Sequence, residues 1–124
     1  MKPLLSLILP IYNEESNIDE LYQRSQKVLA SLGEYEIIFI NDGSRDGSLE
    51  KIMHLARRDK NVKLIDFSRN FGHQIAITAG LDHAQGDAVI IMDSDLQDTP
   101  ETISEMVQKW KEGYEIVYGK RRTR

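Results

Sequence analysis

The segment Val89–Glu101, VIIMDSDLQDTPE, runs four apolar residues into three aspartates and then into Thr-Pro-Glu. Alternate residues of a strand point the same way, so Asp93 and Asp95 at a strand end aim two carboxylates at one place. Two unpaired anions about 4 Å apart repel by roughly 4 kcal/mol at an effective dielectric near 20. A divalent cation removes that repulsion. Magnesium or manganese takes oxygen ligands, is held by one or two carboxylates, and completes its shell with water and phosphate oxygens. The pair therefore points to a bound diphosphate. A solvated acidic loop leading into a helix is the other reading, with Thr99 as its N-cap and Pro100 at the first helical position.

Three more polar clusters follow short apolar runs. Pro10-Ile11-Tyr12-Asn13-Glu14-Glu15 comes after the first, Asn41-Asp42-Gly43-Ser44 after the second, and Ser68-Arg69-Asn70-Phe71-Gly72-His73 after the third. Taken singly, each has a plain explanation. Asp42-Gly43-Ser44 is good turn chemistry, Ser44 or Asp46 is a helix cap, and Arg69 is half of an ion pair. His73, beside Gly72 at a helix start, is read first as a packing residue or a hydrogen-bond partner of other groups. A donor to phosphate is the second reading, since the positive helix end lowers its basicity. His54 and His83 lie on helical segments without zinc-like spacing.

The elements that must position these clusters can be read from periodicity. Runs at Leu4–Leu9, Glu36–Ile40, Val62–Phe67, Ala88–Met92 and Glu115–Tyr118 have strand length. Between them, Ile18, Leu21, Ser25, Val28, Leu29 and Leu32 share a helical face, as do Leu49, Ile52, Met53 and Ala56, and Ile103, Met106, Val107 and Trp110. Gly72–Ala84 is a weaker helix, with Ile75, Ala76, Ala79 and Leu81 as its apolar set and Gly80 interrupting it. Strands alternating with helices predict an α/β fold, a Rossmann-like parallel sheet wrapped by helices. In such sheets ligands bind beyond the carboxyl ends of the strands, where the four clusters lie.

Composition is consistent with that picture. The 124 residues suit one domain, residues 1–124, with 40% hydrophobic and 29% charged residues. The apolar start is broken by Pro10 and followed by acids, which reads as a strand and not as a signal peptide, and no run has the length of a membrane span. With no cysteine, any metal must be held by oxygen or imidazole. The net charge of −4 conceals four cations in the final KRRTR, a tail suited to phosphate, anionic lipid or plain solvation.

The motifs LSLILPIYNEE, INDGSRDG, FSRNFGHQ and MDSDLQDTPE, in this order over nearly the whole chain, resemble the inverting family-two glycosyltransferases. LQDTPE, RNFGHQ and the closing VYGKRR are similar to the polyprenyl-phosphate sugar transferases, the bactoprenol glucosyltransferases and dolichyl-phosphate mannose synthases. The resemblance implies a GT-A fold gripping a nucleoside diphosphate sugar, with Mg²⁺ or Mn²⁺ as cofactor. It places Pro10, Tyr12, Asn13 and Glu14 at the nucleoside, with Asp42 and the Ile40 backbone at the base or ribose. Asp93, Ser94, Asp95 and Gln97 meet the sugar diphosphate, the metal resting on Asp93, Asp95 and Gln97 with Asp95 its chief ligand. Arg121 clamps a phosphate, and Arg69 is a further phosphate candidate. The catalytic set is Asp93, Asp95 and Arg121. The implied reaction moves a hexose, UDP-glucose before GDP-mannose as donor, to a polyprenyl phosphate at the cytoplasmic face of a membrane.

Family members continue well past the fifth strand, so the chain reads as an amino-terminal portion that binds donor. A sheet face left uncovered would favour self-association; no nucleic-acid partner is expected. Three rival readings remain. A receiver-type domain wants acids after its first and third strands, whereas the third run here ends in Ser68-Arg69-Asn70. A haloacid-dehalogenase-like phosphatase wants Thr or Val where this chain has Gln97. A binding module without catalysis is the third.

Overall fold

From Leu5 to Ile11 every residue of LLSLILPI after the first is buried, the mark of a strand covered on both faces. In the computed structural model, which describes residues 4–95 and 99–113, this segment is strand β1, Leu4–Ile11. There follow helix α1 (Ile18–Leu32), β2 (Glu34–Asn41), α2 (Ser48–Arg58), β3 (Val62–Asp66), α3 (His73–His83) and β4 (Ala88–Ile91). A short 3-10 turn, Pro100–Thr102, leads into α4 (Ile103–Lys111). The expected strand Glu115–Tyr118 lies outside the described residues.

Among the described residues all strand pairings are parallel, in the order β3-β2-β1-β4. The α/β sheet read from the sequence is therefore present. On one face, Leu5, Leu7, Leu9, Ile37, Phe39 and Ile90 pack with Ile18, Leu21 and Leu29 of α1, Ile52 and Leu55 of α2, and Ile103 and Val107 of α4. Each fully buried Leu or Ile stabilises the fold by about 1.5–3 kcal/mol. The other face is thinner: Ile8, Ile38 and Ile40 pack with Ala76 of α3.

Two helical faces differ from expectation. Helix α2 buries Ser48, Ile52 and Leu55, an i, i+4, i+7 stripe, and leaves Met53 exposed. Helix α3 buries Ala76 and Gly80 and exposes Ile75 and Leu81. Gly80 does not interrupt this helix; it lets the helix lie close to the sheet. A Cβ there would stand 2.6 Å from Ile8 Cγ2 and 3.1 Å from Ile40 Cδ1. Small residues face the sheet because larger ones do not fit.

Glu36, at the lower end of β2, is a buried carboxylate with several partners. Ser6 Oγ donates to it at 2.5 Å, Lys63 Nζ at 2.7 Å and the Gln85 amide at 2.7 Å, and the Gly86 amide donates to Ser6 Oγ at 2.8 Å. The cluster ties β1, β2 and β3 to the loop that feeds β4. Burial alone would raise the Glu36 pKa, but the Lys63 ammonium, the Ser6 hydroxyl and the Gln85 amide outweigh it and hold the carboxyl below its ordinary 4.5.

Two outcomes are expected. Gly80→Val should lower unfolding stability in urea by about 1–3 kcal/mol through overpacking against Ile8 and Ile40, while Asp82→Ala on the exposed side stays within about 0.5 kcal/mol. Because the folded Glu36 pKa lies below the unfolded one, its contribution is present above pH 4.5 and is lost as pH falls through the folded value. Thermal melts from pH 6 to pH 3 should therefore decline less steeply in the acid range for Glu36→Gln than for wild type, and parallel curves would contradict this role.

Candidate functional site

The chain lays down β1, β2 and β3 outward in order, then returns to the opposite side of β1 to place β4. Neighbouring loops at the β1/β4 boundary therefore leave the sheet in opposite directions, and a crevice opens between them. β4 pairs with β1 only from Leu5 to Ile8, so Leu9, Pro10 and Ile11 continue beyond it. Pro10 sits where β1 has a strand neighbour on one side only, which is where a residue without an N–H is tolerated. A cleft of about 440 Å³ lies at this edge.

Each strand end contributes to its wall. Pro10 and Ile11 end β1 and Tyr12 and Glu14 come from the loop after it, Asp42 directly follows β2, Asn70 and Gly72 come from the loop after β3 and His73 from the start of α3, and Asp93, Ser94 and Asp95 follow β4. Tyr12 is 46% exposed, leaving a ring face for a flat ligand. The His73 imidazole stands with Nε2 3.5 Å from Asp93 Oδ1, so this histidine faces the carboxylate pair and is not packed in the interior. His54 and His83 are exposed, beside Arg58 and the Ala79 carbonyl.

Of the residues expected at the ligand from the sequence, Pro10, Tyr12, Glu14, Asp42, Asp93, Ser94 and Asp95 are brought together at this cleft. Three other candidates lie elsewhere. The Ile40 side chain is wholly buried against Ile8, Ile38 and Ala76, and its backbone, the part expected at the base or ribose, lies in the sheet between Pro10 and Ile65. Arg69 lays its guanidinium over the Phe71 ring, 4.2 Å from the centroid, instead of lining the cleft. Asn13, at φ 52°, braces two loops: its amide donates to Ser44 Oγ at 2.9 Å and its Oδ1 accepts from the Arg45 amide at 2.8 Å. Gln97 and Arg121 lie outside the described residues. Asn70 and Gly72 line the cleft and were not singled out, although the RNFGHQ run containing them was.

The NDGSRDG segment does more than turn the chain. Ser48 Oγ accepts from the Glu14 amide at 3.0 Å, Asp46 Oδ2 from the Glu15 amide at 3.2 Å, and Glu15 Oε1 from the Gly47 amide at 2.9 Å. Asp46 Oδ1 also accepts from the Ser48 amide at 2.9 Å, satisfying a donor at the start of α2. Burial opposes ionisation of Asp46, yet these donors hold its pKa below the ordinary carboxylate value. The loops after β1 and β2 are thereby one braced unit. Thr99 does precede Pro100 at the head of the 3-10 turn, where Thr102 folds back on the Thr99 carbonyl at 2.7 Å.

Asp42 is 4% exposed. Its Oδ1 accepts from the Phe71 amide at 2.7 Å, and its Oδ2 from the Gly72 amide at 3.1 Å and Asn70 Nδ2 at 3.2 Å. The cleft offers oxygen donors and one imidazole; among the described residues no three His, Asp or Glu side chains form a cluster that would hold a metal unaided. Two carboxylates at the end of β4 fit a cation that takes the rest of its shell from water and phosphate.

Comparison with known proteins agrees with this geometry. Residues 6–124 match the family model described as glycosyl transferase family 2. The chain is 57% identical over 120 residues to the uncharacterized glycosyltransferase YkcC of Bacillus subtilis, covering 96% of this chain and 37% of that protein. It is 46% identical over 122 residues to the prophage bactoprenol glucosyl transferase homolog of Escherichia coli, covering 97% and 40%. The mannosyltransferase PcManGT of Pyrobaculum calidifontis, solved with GDP-Man and Mn²⁺, superposes with a TM-score of 0.75 at 24% identity, over 87% of this chain and 32% of that one. The chain spans well under half the length of the curated relatives it matches. With the parallel sheet, the switch-point cleft and a family match over nearly all its length, the chain belongs to glycosyl transferase family 2, with a GT-A fold.

Proposed function

We propose that this chain, as one domain, forms the donor-binding part of an enzyme that transfers a hexose from a nucleoside diphosphate sugar to a polyprenyl phosphate, with inversion at the anomeric carbon. The observation that carries this reading is the meeting of Tyr12 and Asp42 with Asp93 and Asp95 in one cleft at the β1/β4 switch point. An aromatic face and hydrogen-bonding groups at one end suit a nucleoside. Paired carboxylates at the other suit a diphosphate carried with a cation.

Within this reading, Tyr12 and Pro10 flank the base, and Glu14 and Asp42 bound the nucleoside end. Asp93 and Asp95 hold Mg²⁺ or Mn²⁺, which when bound neutralises charge developing on the leaving diphosphate. Ser94, 6% exposed between them, offers a hydroxyl to the same region. Gln97 and Arg121 are assigned to the metal and to a phosphate from the sequence; a guanidinium suits that second role because it forms paired bonds to phosphate oxygens. The acceptor phosphate is already anionic, so attack at the anomeric carbon requires no general base from the chain. Orientation and charge stabilisation then carry the rate.

The polyprenyl acceptor is supported by the likeness to the bactoprenol glucosyl transferase homolog, which also favours a UDP-glucose-type donor over GDP-mannose. Action on a lipid phosphate places the reaction at the cytoplasmic face of a membrane, although no helix among the described residues is long and apolar enough to cross one. Exposed Val89 and Ile91 on strand β4 support self-association of the chain when that face is left uncovered. The family match favours this reading over the receiver-type and dehalogenase-like alternatives.

Titration calorimetry should show UDP binding at least about tenfold tighter with Mn²⁺ than with a chelator, and that gain should vanish in Asp95→Ala. Nucleotide binding that ignores the metal in wild type would remove the metal from the reading. Failure of UDP, GDP and their hexose conjugates to bind at all would leave a binding module of another kind.

A further inference from the structure

The Asp42 carboxylate joins two parts of the cleft that the sequence keeps 28 to 30 residues apart. Each of its oxygens is engaged by the loop after β3: Oδ1 by the Phe71 amide, Oδ2 by the Gly72 amide and by Asn70 Nδ2, which also donates to the Asp42 carbonyl at 3.1 Å. These are charge-assisted bonds at a buried group, the stronger kind. Gly43 completes the seat. It has φ +71°, and a side chain there would run into the Arg69 carbonyl carbon and the Asn70 nitrogen, so the loop lies directly on the backbone after β2. Gly72, at φ +105°, then turns the chain into α3, whose first residue is His73.

We infer that Asp42 is a positioning residue for His73: by hanging the Asn70–Gly72 backbone on its carboxylate, it sets the imidazole over Asp93 on the far wall of the cleft. His73 is more than half exposed, and its Nε2 stands 3.5 Å from Asp93 Oδ1. The loop bonds place the start of α3, and the start of α3 places the ring. A group at the nucleoside end of the cleft thereby determines the arrangement at the diphosphate end. This consequence rests on the donor-cleft reading; the positioning itself does not.

The test is made without ligand, by following the ring proton–carbon NMR signals of the three histidines at one fixed pH. In wild type, Asp93→Asn should shift the His73 signals and leave His54 and His83 in place. In an Asp42→Asn background the His73 response should fall to less than half, and the Phe71 and Gly72 amides should exchange with solvent about tenfold faster while amides of β1 and β2 stay protected. Asn70→Ala, which keeps the carboxylate and removes one donor, should give the same pattern in smaller measure. An undiminished His73 response in Asp42→Asn with a protected core would overturn the inference. If that variant does not fold, an undiminished response in Asn70→Ala overturns it equally. Absence of UDP binding in wild type would overturn the proposed function and would not enter this comparison.

Discussion

A strand buried on both faces has almost no place for a functional group along its length. β1 is such a strand: from Leu5 to Ile11 its side chains are all buried, and Ser6, its one polar residue, is spent on Glu36. Polar chemistry is therefore displaced to the ends of the sheet. Because every pairing is parallel, each strand reaches the same edge with its carboxyl end, and every connection back must cross by a helix. The cleft follows from that constraint, since four polar loops converge on one edge and the reversal of strand order at β1 separates them into two walls.

The two ends of the sheet use buried carboxylates in the same way. At the lower end Glu36 gathers a hydroxyl, an ammonium and an amide; at the upper end Asp42 gathers two amides and an asparagine. Neither charge would be stable in the interior alone, because burial without partners costs several kcal/mol (about 3–5 when a partner is removed). Each is compensated by donors from loops that are distant in sequence. The lower cluster secures the approach to β4, and the upper one secures the approach to α3. β4 leads into the cleft residues Asp93–Asp95, and α3 begins with His73.

Much of this was legible before any coordinates. Continuous apolar runs of strand length and helical spacing between them specify a parallel sheet, and the polar residues that follow each run locate the site. Side chains that act on neighbouring loops were harder to read. Asn13 sits in the run that follows β1, yet its backbone amide donates to Ser44 Oγ and its side-chain Oδ1 accepts from the Arg45 amide, a pairing across 31 or 32 residues that leaves no local pattern. Arg69 looked like a phosphate or carboxylate partner and stacks on Phe71 two residues along. Gly80 weakens its helix on propensity, and the tertiary contact with Ile8 and Ile40 reverses its meaning. In each case the deciding contact was set by how loops or layers meet, which periodicity does not encode.

The paired aspartates illustrate the same division of labour. Two carboxylates after an apolar strand can be a metal seat or a solvated turn, and nothing within VIIMDSDLQDTPE separates the two. What bears on the choice is the company supplied beyond the other strands: Tyr12 and Glu14 after β1, Asp42 after β2, and His73 at the start of α3. A solvated turn requires none of these neighbours. The shared cleft makes Asp93 and Asp95 one end of a larger surface, with Pro10 and Ile11 of β1 set between them and Asp42 by the strand order. The acidic pair is thus informative through its position at the strand-order reversal, where a chain that must bury its sheet on both sides still leaves an opening.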